Sequence, residues 1–198
     1  TLAMGAIMRN TGRLYAFDVS EKRLHSLGQR LKRSGLSNLT AQRISSENDP
    51  KLKRLNGKFD RVLVDAPCTG LGTLRRNPDL KWRQTPEDLA ELTQKQAAIL
   101  ARAAKLVKAG GRLIYSTCSL LNDENENIAE QFLATHPDFK LLNAAEILRG
   151  QQIDLDTGNY LKLLPHLHHT DGFFAAVFEK AATNLPAKVE SQSLPEEA

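Results

Sequence analysis

Apolar and polar positions along this chain switch between a two-residue and a 3.6-residue period, and each switch marks an element. Leu2 to Met8 reads as a helix closed by Asn10-Thr11-Gly12, and Arg13 to Val19 as a strand with Asp18 near its end. Ser20 caps a helix that runs to about Arg33 with Leu24, Leu27 and Leu31 on one face, and Gly35 stops it. Leu39 to Ile44 reads as a weaker strand, Asp49 to Gly57 as a basic loop or short helix, and Phe59 to Asp65 as a buried strand. A loop rich in Gly, Thr and Arg extends to about Gln84. Thr85-Pro86-Glu87-Asp88 opens a long helix that runs to about Lys108 and ends at Gly110-Gly111. Arg112 to Ser116 is the next strand, and Asn122-Asp123-Glu124 opens a helix to about Thr135. Phe139 to Leu142 is a short strand, residues 143–171 are irregular, and Gly172 to Lys180 is the last strand.

Strands alternating with helices predict an α/β fold with a mostly parallel sheet covered on both faces. The two short strands near the end, with no helix between them, predict an antiparallel edge strand. Residues 1–180 form one domain in this reading, and the polar tail from Ala181 is expected to be disordered. No internal repeat is present.

The bulk numbers narrow this picture. At 198 residues the chain can bury a real core. No apolar run approaches the roughly 20 residues of a membrane helix. The opening Thr1-Leu2-Ala3-Met4-Gly5 lacks the charged and apolar regions of a signal peptide. The 2 cysteines form no disulfide framework, so a reducing, cytoplasmic setting is expected. The net charge of +4 is mildly basic and compatible with a polyanionic partner.

Those two cysteines are the most pointed chemical signal. Cys68 follows the strand ending at Asp65, and Cys118 follows the strand ending at Ser116. In open α/β sheets, reacting groups collect at the carboxyl ends of strands. Pro67 holds Ala66 extended and stiffens the turn between Asp65 and Cys68. The plainer readings are two small buried hydrophobes or a disulfide. Asp18, an acid ending a strand before a helix, sits where a ribose hydroxyl is bound in dinucleotide-type folds; it is equally a simple helix-start acid. Arg75, Arg76, Lys81 and Arg83 surround the single Trp82, a combination suited to phosphate contact and base stacking, or else to a solvated loop over a packed Trp. His166, His168 and His169 lack a second ligand cluster and read as loop histidines, so no metal is expected.

Several of these segments together resemble the Sun/Fmu-type (NOL/NOP/Sun) RNA cytosine-5 methyltransferases. Asp65-Ala66-Pro67-Cys68-Thr69-Gly70-Leu71-Gly72 with Arg75-Arg76-Asn77-Pro78-Asp79 is similar to their fourth motif. Tyr115-Ser116-Thr117-Cys118-Ser119 with Glu124-Asn125-Glu126 resembles the sixth, Asp171 to Ala176 the last, and Asp18-Val19-Ser20 with Arg23-Leu24 the second. The resemblance implies a Rossmann-like fold that uses S-adenosylmethionine to methylate carbon 5 of cytosine in RNA, ribosomal RNA more than transfer RNA. It implies Cys118 as nucleophile, Cys68 in product release and Asp65 on the cytosine. Asp18, Asp65 and Pro67 would line the cofactor, and Arg75, Arg76, Lys81 and Trp82 the RNA.

Two departures accompany the resemblance. Members carry a Gly-Gly-Lys loop and a first strand upstream of the point where Thr1-Leu2-Ala3 begins. The resemblance therefore implies an N-terminal segment not contained here, poor cofactor binding by this chain alone, and exposed edges on the strands that would flank the first one. The adenine-contacting acid expected after the third strand is replaced by Ile44-Ser45-Ser46, with Glu47 and Asp49 only nearby. The competing readings are a DNA cytosine-5 methyltransferase, against which a second cysteine at position 118 argues, and a non-catalytic RNA-binding fragment.

Overall fold

The computed structural model describes residues 1–182, so most of the tail expected to be disordered lies outside the described residues. The elements follow the alternation read from the sequence. In chain order they are α1 (Leu2–Ile7), β1 (Leu14–Asp18), α2 (Glu21–Ser34), β2 (Leu39–Arg43), α3 (Pro50–Lys53) and β3 (Phe59–Asp65). A 3-10 turn (Leu71–Thr73), α4 (Leu80–Arg83), α5 (Pro86–Ala104) and β4 (Val107–Thr117) come next. A second 3-10 turn (Asn122–Glu124) then leads to α6 (Glu126–Thr135), β5 (Phe139–Leu142), α7 (Ala144–Arg149), β6 (Leu161–Leu163), α8 (Pro165–His168) and β7 (Phe173–Lys180).

Local chemistry explains the boundaries. The Ser20 side chain accepts from the Arg23 N–H at the start of α2, and Gly35 ends that helix with φ of 71°. Thr85 and Asp88 exchange side chain-to-backbone hydrogen bonds in a capping box, with Pro86 at the first helical position of α5. Three expectations shift. Helix α5 stops at Ala104, and Gly110-Gly111 lies inside β4 rather than after a helix. The β3–β4 register jumps there from Phe59↔Val107 to Arg61↔Arg112. A Cβ on Gly111 would meet the Asp60 carbonyl oxygen at 3.1 Å and Val107 Cγ1 at 2.8 Å, so the glycines serve a bulge and not a helix stop. Finally, the stretch read as irregular holds α7, β6 and α8.

The strands form two sheets. β1 and β2 pair in parallel; the larger sheet has the order β3-β4-β7-β5, with β6 also on β7. β3 and β4 are parallel, and β7 runs antiparallel to β4, β5 and β6, so β7 alone opposes its sheet. The antiparallel strand is thus inside the sheet, and β5 is the last in its order. β1 and β3 do not pair among the described residues, although Tyr15 of β1 meets the ring of Phe59 of β3 with centroids 5.4 Å apart.

One face of the larger sheet carries the core. Leu100 of α5 and Phe132 of α6 pack with Leu113, Tyr115, Phe174 and Phe178 from β4 and β7. Phe132 sits 4.8 Å from Phe178 and 5.2 Å from Phe139, ring centre to ring centre. The paired residues Leu63, Ile114 and Val177 alternate with these core positions and face the other way. Leu63 is 49% exposed, so coverage of both faces is not met there, and β3 is less buried than its apolar run suggests. Its outer edge lacks a strand partner among the described residues, which removes half of the shelter a central strand receives. No helix among the described residues is long and apolar enough to cross a membrane.

Burial decides which side chains matter for stability. Leu100 has no exposed surface, whereas Ile7 is 82% exposed. Leu100→Ala is expected to cost about 2–5 kcal/mol, and Ile7→Ala less than about 0.5 kcal/mol, in urea unfolding.

Candidate active site

The parallel pairing of β3 and β4 carries Asp65 level with Ser116, so both strands release their chains at the same rim. The Ala66 N–H donates to the Ser116 carbonyl at 3.0 Å, and Ser116 Oγ donates to the Val64 carbonyl at 3.2 Å. Pro67 has no N–H to continue the ladder, and the chain turns away. Gly70 follows with φ of 74°. The Gly72 N–H then donates to the Cys118 carbonyl at 2.9 Å, and the Gly172 N–H donates to the Gly72 carbonyl at 2.8 Å. A Cβ on Gly72 would lie 2.4 Å from the Gly172 carbonyl oxygen and 2.7 Å from that of Cys118. Only glycine lets these three loops lie together.

This stitching brings residues 50 apart into contact: the Cys68 and Cys118 sulfurs are 3.4 Å from each other. Both are free thiols and half-buried. With Cys68 as the donor, its S–H stabilises a thiolate on Cys118. Cys118 is thereby held at about 7, mainly by that hydrogen bond, against burial and the negative charge of Asp65. Cys68 is pushed up by the same bond and by its own burial. At neutral pH this arrangement leaves Cys118 partly ionised, with Cys68 holding a proton beside it. The disulfide reading is not realised.

The other candidates divide. Asp65 and Pro67 stand exposed at this rim. Asp18 ends β1 in the other sheet; its carboxylate accepts from the Ser20 N–H at 2.8 Å and pairs with Arg23 at 3.4 Å, and its side chain stays 24% exposed. Asp49, one of two acids near the expected adenine position, accepts from the Ser45 N–H at 2.9 Å and the Lys51 N–H at 2.9 Å. Its carboxylate is occupied as the cap of α3.

The basic segment lies on the surface beyond the cysteines. Trp82 is 80% exposed, not packed under the loop, and the Lys81 ammonium lies 4.7 Å from its ring centre. Arg75 is exposed. Arg76 is exposed too, but its guanidinium pairs with Asp171, and Arg83 pairs with Asp79 at 2.5 Å. Of the histidines, His168 Nδ1 accepts from the Leu164 N–H at 2.9 Å and serves α8. Among the described residues no group of three metal-ligating side chains gathers.

The burial of a polar layer beneath the cysteines is not evident from the sequence, although five of its six residues lie in the motif segments. The layer contains Thr69, Gln96, Thr117, Ser119, Glu124 and Asn125, each at most 2% exposed. The sequence places Glu124 and Asn125 at a helix start and in the segment resembling the sixth motif, without showing that they are buried. The available signal was the mismatch between six polar residues and the apolar periodicity of the elements around them.

The chain matches the family model described as 16S rRNA methyltransferase RsmB/F over residues 1–179. It is 41% identical to a protein of Synechocystis described as a probable ribosomal RNA small subunit methyltransferase B, covering 91% of this chain and 40% of that one. The crystal structure of NSun6 from Pyrococcus horikoshii with SFG is similar at a TM-score of 0.75 and 30% identity, covering 89% of this chain and 44% of the other. A methyltransferase homologue from the same organism aligns at a TM-score of 0.71 and 35% identity, over 89% and 56% of the two chains. The fold is the Rossmann-like methyltransferase fold. The chain spans 40% and 39% of the length of the first two curated relatives it matches.

The thiol asymmetry predicts a pH profile. Iodoacetamide labelling of Cys118 should rise with pH through a midpoint of about 7, as its thiolate forms. Cys68 should stay largely unlabelled up to about pH 8.5, the ordinary thiol value. Peptide mass spectrometry resolves the two sites, and Cys68 labelling first would reverse the donor assignment.

Proposed function

This chain belongs to the 16S rRNA methyltransferase RsmB/F family, and on that premise we propose that it is the catalytic part of an enzyme that methylates carbon 5 of cytosine in RNA. Ribosomal RNA is the favoured substrate, with transfer RNA second, and S-adenosylmethionine the methyl donor. The observation that carries this reading is the thiol pair, 3.4 Å apart at adjoining strand ends, with Cys118 the more acidic member.

The residues at the sheet rim suit that cofactor. Asp18 and Asp65 end β1 and β3, each of which leaves one edge unpaired among the described residues. Ionised carboxylates only accept hydrogen bonds. Two of them, with the exposed ring of Pro67 nearby, complement the hydroxyls and the positive groups of S-adenosylmethionine. The similar NSun6 structure with SFG, an analogue of that cofactor, supports the assignment. A further strand between β1 and β3, supplied by an N-terminal segment of the longer protein, would complete the sheet beside these acids.

Carbon 5 of cytosine is too weak a nucleophile to be methylated directly. In the proposed reaction the Cys118 thiolate bonds to carbon 6, and the ring's electron pair moves to carbon 5. S-adenosylmethionine, when bound, supplies the electrophilic methyl group. Water takes the carbon 5 proton, the C–H electron pair restores the ring double bond, and cleavage of the carbon 6–sulfur bond returns Cys118 as a thiolate. The Cys68 S–H, already directed at the Cys118 sulfur, stabilises that departing thiolate and so promotes product release. Asp65, at the strand end beside Cys118, accepts from the exocyclic amine of cytosine and orients the ring. The base has to leave its stack to reach this rim. Trp82 offers an exposed face for stacking, and Arg75, Arg76 and Lys81 offer phosphate contacts.

Cys118→Ala in the intact gene product should reduce methyl transfer by roughly three orders of magnitude. Cys68→Ala should accumulate a covalent RNA adduct on a denaturing gel, and the adduct should vanish in the Cys68→Ala/Cys118→Ala double variant. An adduct in Cys118→Ala but not in Cys68→Ala would exchange the two roles.

A further inference from the structure

Glu124 and Asn125 are neighbours in the turn before α6, and both have no exposed surface. Glu124 Oε1 accepts from the Thr69 N–H at 2.8 Å and from Gln96 Nε2 at 2.9 Å. Its Oε2 accepts from the Thr69 hydroxyl at 2.5 Å. Gln96 Nε2 also donates to the Pro67 carbonyl at 2.9 Å. The Pro67 carbonyl and the Thr69 N–H belong to the two peptide groups on either side of Cys68. Because each peptide group is planar, tying both of them leaves the Cys68 backbone little freedom.

Asn125 does the equivalent for the other cysteine. Its Oδ1 accepts from the Thr117 hydroxyl at 2.5 Å, and its Nδ2 donates to the Ser119 carbonyl at 3.1 Å. The Thr117 oxygen in turn accepts from the Ser119 N–H at 3.2 Å. This ring closes around Cys118. The Tyr115 hydroxyl donates to the Glu124 carbonyl at 2.6 Å and anchors the whole turn to β4.

We propose that Glu124 and Asn125 are positioning residues with divided duties, Glu124 holding Cys68 and Asn125 holding Cys118, so that one turn of backbone sets the distance between the two sulfurs. The inference rests on the roles given above to Cys118 in attack and Cys68 in release. Its chemistry is specific: three donors converge on the Glu124 carboxylate, and an amide in its place would point a donor at one of them and leave it unpaired.

The two duties predict opposite phenotypes from adjacent residues, which general destabilisation would not produce. In the intact gene product, Glu124→Gln should lower kcat about tenfold or more, the scale of one hydrogen bond to a charged group, with KM for RNA nearly unchanged. It should also accumulate the covalent RNA adduct, as Cys68→Ala does. Asn125→Ala, placed in the Cys68→Ala background, should instead slow adduct formation by about tenfold. Gln96→Met removes the bond to Pro67 together with one of the three donors to Glu124 and should share the Glu124→Gln phenotype, which keeps the test open if Glu124→Gln does not fold. A second arm needs no RNA: diamide should oxidise Cys68 and Cys118 to a disulfide quickly in the parent and about tenfold more slowly in Glu124→Gln. Oxidation at the parental rate in both Glu124→Gln and Gln96→Met, or loss of the adduct in both, would overturn the proposal. If Cys68→Ala itself forms no adduct, the chemical reading fails, and the diamide arm still decides whether Glu124 sets the sulfur separation.

Discussion

The parallel register of β3 on β4 is the constraint on which the site depends. It brings Asp65 level with Ser116, so the loops that follow start at one height and on one rim. A one-residue slip would turn every side chain of β3 to the opposite face. Val62 and Val64 would leave the core, and the Asp65-to-Cys68 turn would no longer meet the Cys118 loop. The core packing under α5 and α6 therefore fixes the chemistry above it, because the same register serves both.

Above the sheet the site is held by polar contacts where a core would ordinarily be apolar. Burying six polar side chains is costly unless they bond one another. Here the carboxylate of Glu124, the amides of Gln96 and Asn125 and the hydroxyls of Thr69, Thr117 and Ser119 largely do so. Gly72 and Gly172 let backbone meet backbone where no side chain fits. The resulting rigidity is what the proposed covalent reaction would ask of its two sulfurs: a fixed separation and a directed proton.

Each of the two sheets ends a strand in an acid. β1 carries Asp18 and β3 carries Asp65, and both strands leave an edge unpaired among the described residues. The exposed Trp82 and its basic neighbours lie on the chain between Cys68 and α5, so the segment proposed to meet RNA is continuous with the loop that holds Cys68. Substrate contact and the geometry of Cys68 are thereby linked through one stretch of backbone. The Arg76–Asp171 pair ties that stretch to the start of β7.

Much of this was legible along the chain itself. The caps at Ser20 and Thr85, the stop at Gly35 and the order of strands and helices are written in a few adjacent residues each, because capping and amphipathicity act over one or two turns. The motifs around Cys68 and Cys118 pointed to the family and to the two thiols for the same reason. What the sequence could not display is how Glu124 reaches Thr69, 55 positions away, or how Gln96 reaches Pro67 across 29. Nor could it show that Gly110-Gly111 makes a bulge within β4 instead of ending a helix, since that depends on Asp60 of the neighbouring strand. Local sequence determined the elements and pointed to the two thiols. The tertiary structure alone decided which sulfur is the more acidic and what holds the pair together, because those properties arise from hydrogen bonds between segments that only sheet register brings into contact.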